Sequence, residues 1–145
     1  MGDSGTILTS SDGTTWTSRT SGTSNNLGNV TYGNSTFMAV GHSGIILTSS
    51  DGTTWTSKTS GTSEHLWGVT YGNSTYVSTG AAGNIRTSSD GITWDNRTYV
   101  TSNDFYGVTY GNNTYVIVGY SAQTKRIFTS TDLTTWVFRN PSSVT

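Results

Sequence analysis

An all-β chain made of repeated four-stranded antiparallel units is the architecture this sequence predicts. Three observations predict it: a motif that returns every 39 residues, two hairpin signatures within each repeat, and a composition rich in hydroxyl residues and aromatics yet poor in charge. Ser and Thr supply 22 and 30 of the 145 residues and Gly another 18, while charged residues make up 10% and hydrophobic ones 31%. Low hydrophobicity can signal disorder, but disorder goes with high net charge and few aromatics. Here the net charge is -1, and there are 5 Trp, 8 Tyr and 4 Phe. The length suits one domain, residues 1–145.

The first motif is Ile7-Leu8-Thr9-Ser10-Ser11-Asp12-Gly13-Thr14-Thr15-Trp16. It returns unchanged at 46–55, then as Ile85-Arg86-Thr87-Ser88-Ser89-Asp90-Gly91-Ile92-Thr93-Trp94, and drifted as Ile127-Phe128-Thr129-Ser130-Thr131-Asp132-Leu133-Thr134-Thr135-Trp136. The Asp residues are spaced by 39, 39 and 42. Between these copies runs a second motif, Val30-Thr31-Tyr32-Gly33-Asn34-Ser35-Thr36-Phe37, with copies at 69–76 and 108–115. Each motif reads as a hairpin. Asp-Gly in the first is a favoured pair for a two-residue type I′ turn, and Gly-Asn-Ser in the second tolerates positive φ as well. A unit therefore holds four short strands: A (Val-Thr-Tyr), B (Phe-Met-Ala-Val), C (Ile-Leu-Thr-Ser) and D (Thr-Trp-Thr-Ser). No segment has a 3.6-residue apolar period, so no helix beyond a single turn is expected.

Four antiparallel strands in about 39 residues, repeated, are the mark of a β-propeller blade. The units fall into a half blade at 1–20 holding strands C and D, then complete blades at 27–59, 66–98 and 105–140. That makes three and a half blades per chain. Closed propellers have 4–8 blades, and the half blade has no A–B hairpin of its own. Exposed ends and strand edges invite a partner, so a homo-oligomer is expected, a dimer closing one ring of about six to seven blades.

The Ser-Ser-Asp-Gly-Thr-Thr-Trp copies resemble the Asp-box repeats of bacterial neuraminidases and related propellers. The family pattern, Ser-x-Asp-x-Gly-x-Thr-Trp, lies on the turn between the third and fourth strands of a blade. In this chain Gly follows directly after Asp12, Asp51 and Asp90, and Trp comes four residues after Asp, which makes it a shortened box. Leu133 replaces the Gly in the fourth copy. The resemblance implies architecture and not activity. On physical grounds the Asp and Ser side chains should accept backbone N–H groups across the turn, and Trp16, Trp55, Trp94 and Trp136 should pack between neighbouring sheets.

Alternating strand direction places the A–B and C–D turns on one face and the B–C and D–A loops on the other. The repeats differ most on the second face, where function on rigid scaffolds concentrates. Glu64, His65 and Trp67 precede one A strand; Asn103, Asp104 and Tyr106 hold the same register positions before the next. Aromatic rings beside amides and carboxylates suit a sugar, the ring stacking on the apolar sugar face and the polar groups bonding its hydroxyls. Asn25 and Gly28 stand at the matching positions of the first complete blade, so a weaker site is expected there.

Catalysis is not expected. Glu64 is the only Glu, and Arg19, Arg86, Arg97, Arg126 and Arg139 lie on or beside C and D strands rather than converging on the axis. His42 and His65 lack the spacing of a metal site, zero Cys removes thiol chemistry, and no cofactor motif is present. A net charge of -1 gives no footprint for nucleic acid, no apolar run is long enough for a bilayer span, and no signal peptide is visible. The sequence points to a non-enzymatic binding or adhesion module with carbohydrate as first ligand. The alternatives are a purely structural propeller segment, natural or engineered, that self-assembles without a ligand, and a degenerate glycoside-hydrolase-like scaffold. The compartment is left open.

Overall fold

The computed structural model describes residues 1–97, 103–121 and 124–139. Fourteen strands form four antiparallel sheets among these residues. β1 (Ile7–Thr9) and β2 (Thr17–Arg19) pair alone. β3 (Leu27–Gly33), β4 (Thr36–Gly41), β5 (Ile46–Ser49) and β6 (Thr56–Lys58) form the first complete sheet in sequential order. β7 (Leu66–Gly72), β8 (Thr75–Gly80), β9 (Ile85–Ser88) and β10 (Asp95–Asn96) form the second, and β11 (Asp104–Gly111), β12 (Thr114–Ser121), β13 (Thr124–Ser130) and β14 (Val137–Arg139) the third. β3, β7 and β11 lie side by side and define the inner edge of the stack. The chain is three and a half β-propeller blades, as the repeat predicts. The expected blade limits at 98 and 140 fall outside the described residues.

The type I′ turn read from Asp-Gly is not formed there, while the second motif's positive-φ turn is as expected. The two-residue turn belongs to the A–B hairpin: Gly33 pairs with Thr36, and Asn34 and Ser35 between them have φ of 46° and 55°. Asn73-Ser74 and Asn112-Asn113 repeat it. Positive φ at both central positions is the type I′ requirement, which Asn meets. The Asp-Gly segment makes a longer loop over residues 10–16, between paired Thr9 and Thr17. Its N–H groups go to side chains: Gly13 N–H to Ser10 Oγ at 2.8 Å, and Thr14 and Thr15 N–H to Asp12 Oδ1 at 2.9 and 2.8 Å. With donors satisfied inside the loop, only Gly13 needs positive φ, 74°. In the fourth copy Leu133 adopts φ 62° at this position, a conformation L residues avoid. The same donors hold the carboxyls of Asp12, Asp51 and Asp132 well below the usual carboxylate range and lower Asp90 to about 2.

Three apolar layers fill the spaces between blades. Ile7, Leu27, Ala39 and Leu47 form the first with Trp55; Met38, Val40, Ile46, Leu66, Val69 and Tyr76 the second with Trp94; Val77, Ile85, Phe105, Tyr115, Ile117 and Phe128 the third with Trp136. Trp55, Trp94 and Trp136 thus each pack against the blade before their own. Trp16, on the half blade with no blade described before it, is 58% exposed, against 8% for Trp136, so the expectation of inter-sheet packing is not met for this one Trp among the described residues.

Two further contacts repeat at the inner edge. Gly33 and Gly72 are bare because the rings of Tyr71 and Tyr110 lie over them, where any Cβ would collide. Tyr76 Oη donates to the Gly33 carbonyl at 2.5 Å, and Tyr115 Oη to the Gly72 carbonyl at 2.7 Å. Burial raises the pKa of both phenols. The 3-10 turns Asp3–Gly5, His42–Gly44 and Ala81–Gly83 connect into the C strands and are the helical content among the described residues.

Candidate functional site

Every complete blade carries a β-bulge near the start of its innermost strand. The register slips between Leu27 and Asn29, Leu66 and Gly68, and Phe105 and Gly107. The extra residue is Gly28, Trp67 or Tyr106. A bulged residue is left out of the ladder and re-aims its side chain. Trp67 and Tyr106 leave adjacent blades this way and stack at 4.7 Å between centroids, 22° between planes. His65 lies 6.2 Å from Trp67, and His42 stacks on His65 at 4.3 Å. The result is a row of four rings across three blades. His42 comes from the turn after a B strand, and the repeat pattern alone did not place it with the other three.

The row is held by one hydrogen bond repeated at each blade junction. His65 Nδ1 accepts the Ser43 N–H at 3.0 Å, Asp104 Oδ1 the Ala82 N–H at 3.1 Å, and Asn26 Oδ1 the Ser4 N–H at 2.9 Å. The donor residues share φ of 54–56°, which turns their N–H groups toward the next blade. With Nδ1 accepting, a neutral His65 carries its proton on Nε2 and can donate from there.

The six residues singled out in the sequence therefore separate. Glu64, His65 and Tyr106 are exposed and Trp67 half-buried. Asp104 is half-buried and tied to Ala82. Asn103 is buried and its carbonyl accepts the Gly83 N–H at 2.6 Å, which puts it beneath the surface that a ligand could reach. Glu64 donates its N–H to Thr62 Oγ1 at 3.1 Å.

The arginines are engaged along the outer strands. Arg19 Nε donates to Thr9 Oγ1 at 2.8 Å, Arg139 Nε to Thr129 Oγ1 at 2.9 Å and Arg86 Nε to Asn84 Oδ1 at 3.1 Å. Burial lowers the pKa of Arg86. Arg97 reaches Asp95 at 3.6 Å, and Arg126 sits 5.0 Å over the Phe138 ring. Among the described residues, no three His, Asp or Glu side chains gather where they could hold a metal, and no helix is long and apolar enough to cross a membrane.

Fold and site together define the class: a β-propeller segment with an aromatic row at one mouth. Among solved structures it is similar to YCF48 from Cyanidioschyzon merolae, with TM-score 0.73 and 18% identity over 99% of this chain and 52% of that one. A Bombyx mori GH32 β-fructofuranosidase mutant in complex with sucrose gives TM-score 0.49 at 16% identity over 79% and 34%. YCF48 bound to D1 peptide gives 0.46 at 15% over 97% and 62%. At these identities the likeness is one of fold. The chain spans about half the length of the Cyanidioschyzon YCF48 chain. No protein-family model matches the sequence, and no curated protein does.

Proposed function

We propose that the protein is a non-enzymatic binding module that takes carbohydrate on the row formed by His42, His65, Trp67 and Tyr106. The observation that carries this reading is the pair of bulges that turn Trp67 and Tyr106 out of their ladders into one stacked wall. A pyranose can lay its apolar face on the free face of Tyr106, the exposed ring at the end of the stack, with its hydroxyls at the rim. Exposed Glu64, next in sequence to His65, offers an acceptor and His65 Nε2 a donor. The isolation of Glu64 as the only Glu and the engagement of the arginines on outer strands favour binding over hydrolysis.

A glycan array followed by calorimetric titration tests it. Trp67→Ala and Tyr106→Ala should each weaken the best glycan at least tenfold, while Ile92→Ala, at an exposed residue of a box loop, should leave binding unchanged. A blank array, or equal affinity in Trp67→Ala, overturns the proposal. One observation favours a second reading, a structural segment without a ligand: Asn26 makes the same junction bond as His65 and Asp104 on a blade where Gly28 replaces the aromatic. A blank array with an intact fold is the outcome that reading expects.

A further inference from the structure

The second apolar layer, between the first and second complete blades, breaks the repeat with polar residues. Where the first layer has Ala39 and Leu47, and the third Ile117 and Phe128, the same register positions here hold Ser78 and Arg86. Asn84 likewise stands where the first complete blade has Ile45, a residue packed on the first layer. Ser78 is fully buried and Asn84 is 5% exposed, while Arg86 is half-buried and its pKa is lowered by that burial. A guanidinium at a position that takes Leu or Phe costs desolvation and gives up apolar contact. Departures from an otherwise consistent repeat concentrate at functional sites.

The hydrogen bonds of this cluster leave only donors over. Ser78 Oγ donates to the Gly68 carbonyl at 3.1 Å and is satisfied there. Arg86 Nε donates to Asn84 Oδ1 at 3.1 Å, and Asn84 Nδ2 donates at 3.0 Å to Thr62 Oγ1, on the loop that leaves the preceding blade. Thr62 Oγ1 also accepts the Glu64 N–H at 3.1 Å. A hydroxyl has two acceptor sites and one proton. Both acceptor sites of Thr62 are filled, so its proton is what it has left to offer. Among the described residues, the Nη groups of Arg86 have no acceptor and no carboxylate forms an ion pair with it. Nη1 lies 3.6 Å from where a Cβ on Gly61 would be, and Gly61 is exposed, so this end of the fork reaches the surface.

We propose that this junction binds a small oxyanion, held by the Arg86 fork and the Thr62 hydroxyl, with Asn84 fixing the position of both. A site whose unspent groups are all donors suits a ligand that only accepts. The planar guanidinium matches two oxygens of one carboxylate, phosphate or sulfate group. The anion supplies the countercharge that the layer lacks and offsets the cost of placing Arg86 there. The site does not depend on the carbohydrate reading, because it uses none of the four rings of the row.

Titration of the full chain with inorganic phosphate and, separately, with acetate tests the proposal, at constant ionic strength and followed by the arginine Nε–Hε resonances in NMR. The Arg86 resonance should move saturably with at least one of the two, and the tighter binder tells a tetrahedral anion from a planar one. The resonances of Arg19 and Arg139, each bonded to a threonine of its own blade, should stay in place. Arg86→Leu combined with Asn84→Ile, which restores the residues of the first complete blade, should abolish the binding in calorimetry. If that double variant does not fold, Arg86→Lys, which keeps the charge without the fork, should weaken binding at least tenfold. Arg19→Lys should bind as the parent does. Absence of a saturable shift with either anion overturns the proposal. Undiminished binding in the double variant or in Arg86→Lys also overturns it, by placing the anion elsewhere. So do equal shifts at every arginine, which would be the mark of general screening.

Discussion

Residues 7–18 and 46–57 are the same twelve-residue sequence placed in two surroundings. Their local chemistry is the same. Gly13 and Gly52 share φ of 74°, and Ser10 and Ser49 accept the glycine N–H at 2.8 and 2.9 Å. Asp12 and Asp51 each accept the next two loop N–H groups at 2.8–2.9 Å. Burial differs at four of the twelve positions, the pairs 8/47, 10/49, 13/52 and 16/55, while Ile7 and Ile46 are buried alike. Leu8 is 45% exposed and Leu47 1%; Gly13 is exposed and Gly52 buried. Trp55 Nε1 donates to the Gly52 carbonyl at 3.1 Å and its ring joins an apolar layer, while Trp16 stands in solvent. The loop is written by twelve residues; what it buries is written by the blades on either side. Stability in such a stack is a sum over units and nearest-neighbour interfaces, and the half blade has lost part of both.

The largest effect that follows is at the box tryptophans. Trp136→Ala should cost about 3–5 kcal/mol, the usual penalty for emptying a buried aromatic site. Trp16→Ala should change chemical denaturation of the monomer by less than about 1 kcal/mol, since an exposed ring has little burial to lose. Similar losses would break the comparison. Next come the inner glycines. Gly72→Ala pushes a Cβ into the Tyr110 ring and should cost about 1–3 kcal/mol by overpacking, whereas Gly111→Ala meets nothing and should be close to neutral. A loss at Gly111 matching that at Gly72 would show that its outer face is covered.

A smaller effect separates two covered junctions. Among the described residues Thr79 Oγ1 is buried without a hydrogen-bond partner, at the position where the first complete blade has Val40. Thr79→Val should raise the denaturation midpoint, by about 1 kcal/mol in stability, because it removes an unsatisfied hydroxyl at nearly constant shape. An unchanged or lowered midpoint would mean that the hydroxyl is satisfied. Acid is the lever that should not discriminate at all. The box carboxyls have folded pKa values below the unfolded value of about 3.9, so their contribution is complete above about pH 4 and lost as pH falls toward about 2 and below. Tryptophan fluorescence should hold steady down to about pH 4 and change only below it. A transition near pH 6 would contradict the carboxylate account.

The repeat made blade number, strand order and the offset half blade legible, because a fixed period survives whatever the side chains do. Positive φ in the A–B turn was legible in its Asn and Ser residues, but the two-residue turn read from Asp-Gly was not what forms. Asp-Gly carries the type I′ signature, yet Ser10 and Asp12 take the loop N–H groups and let the chain run to Trp16 before pairing resumes. Trp67 and Tyr106 could be found as departures from the repeat. Their stacking depends on bulges in neighbouring blades, and His42 reaches His65 only across a blade boundary, so no local pattern announces the row. Asn103 has the right residue type in the right register, but it lies beneath the Ala81–Gly83 turn instead of in the mouth.

The central claim is that neighbouring blades, and not the repeat's own sequence, decide what each unit buries. Amide hydrogen exchange of the twelve-residue segment, read by NMR in its two copies, tests this most directly. Intrinsic exchange rates, set by a residue and the one before it, are the same from Leu8 and Leu47 onward, so any difference there is structural. The account predicts that residues 46–48, paired on both sides, exchange only in openings close to global unfolding. Ile7–Thr9, paired with β2 alone, should exchange at least a hundredfold faster through local opening. Equal protection in the two copies would contradict it.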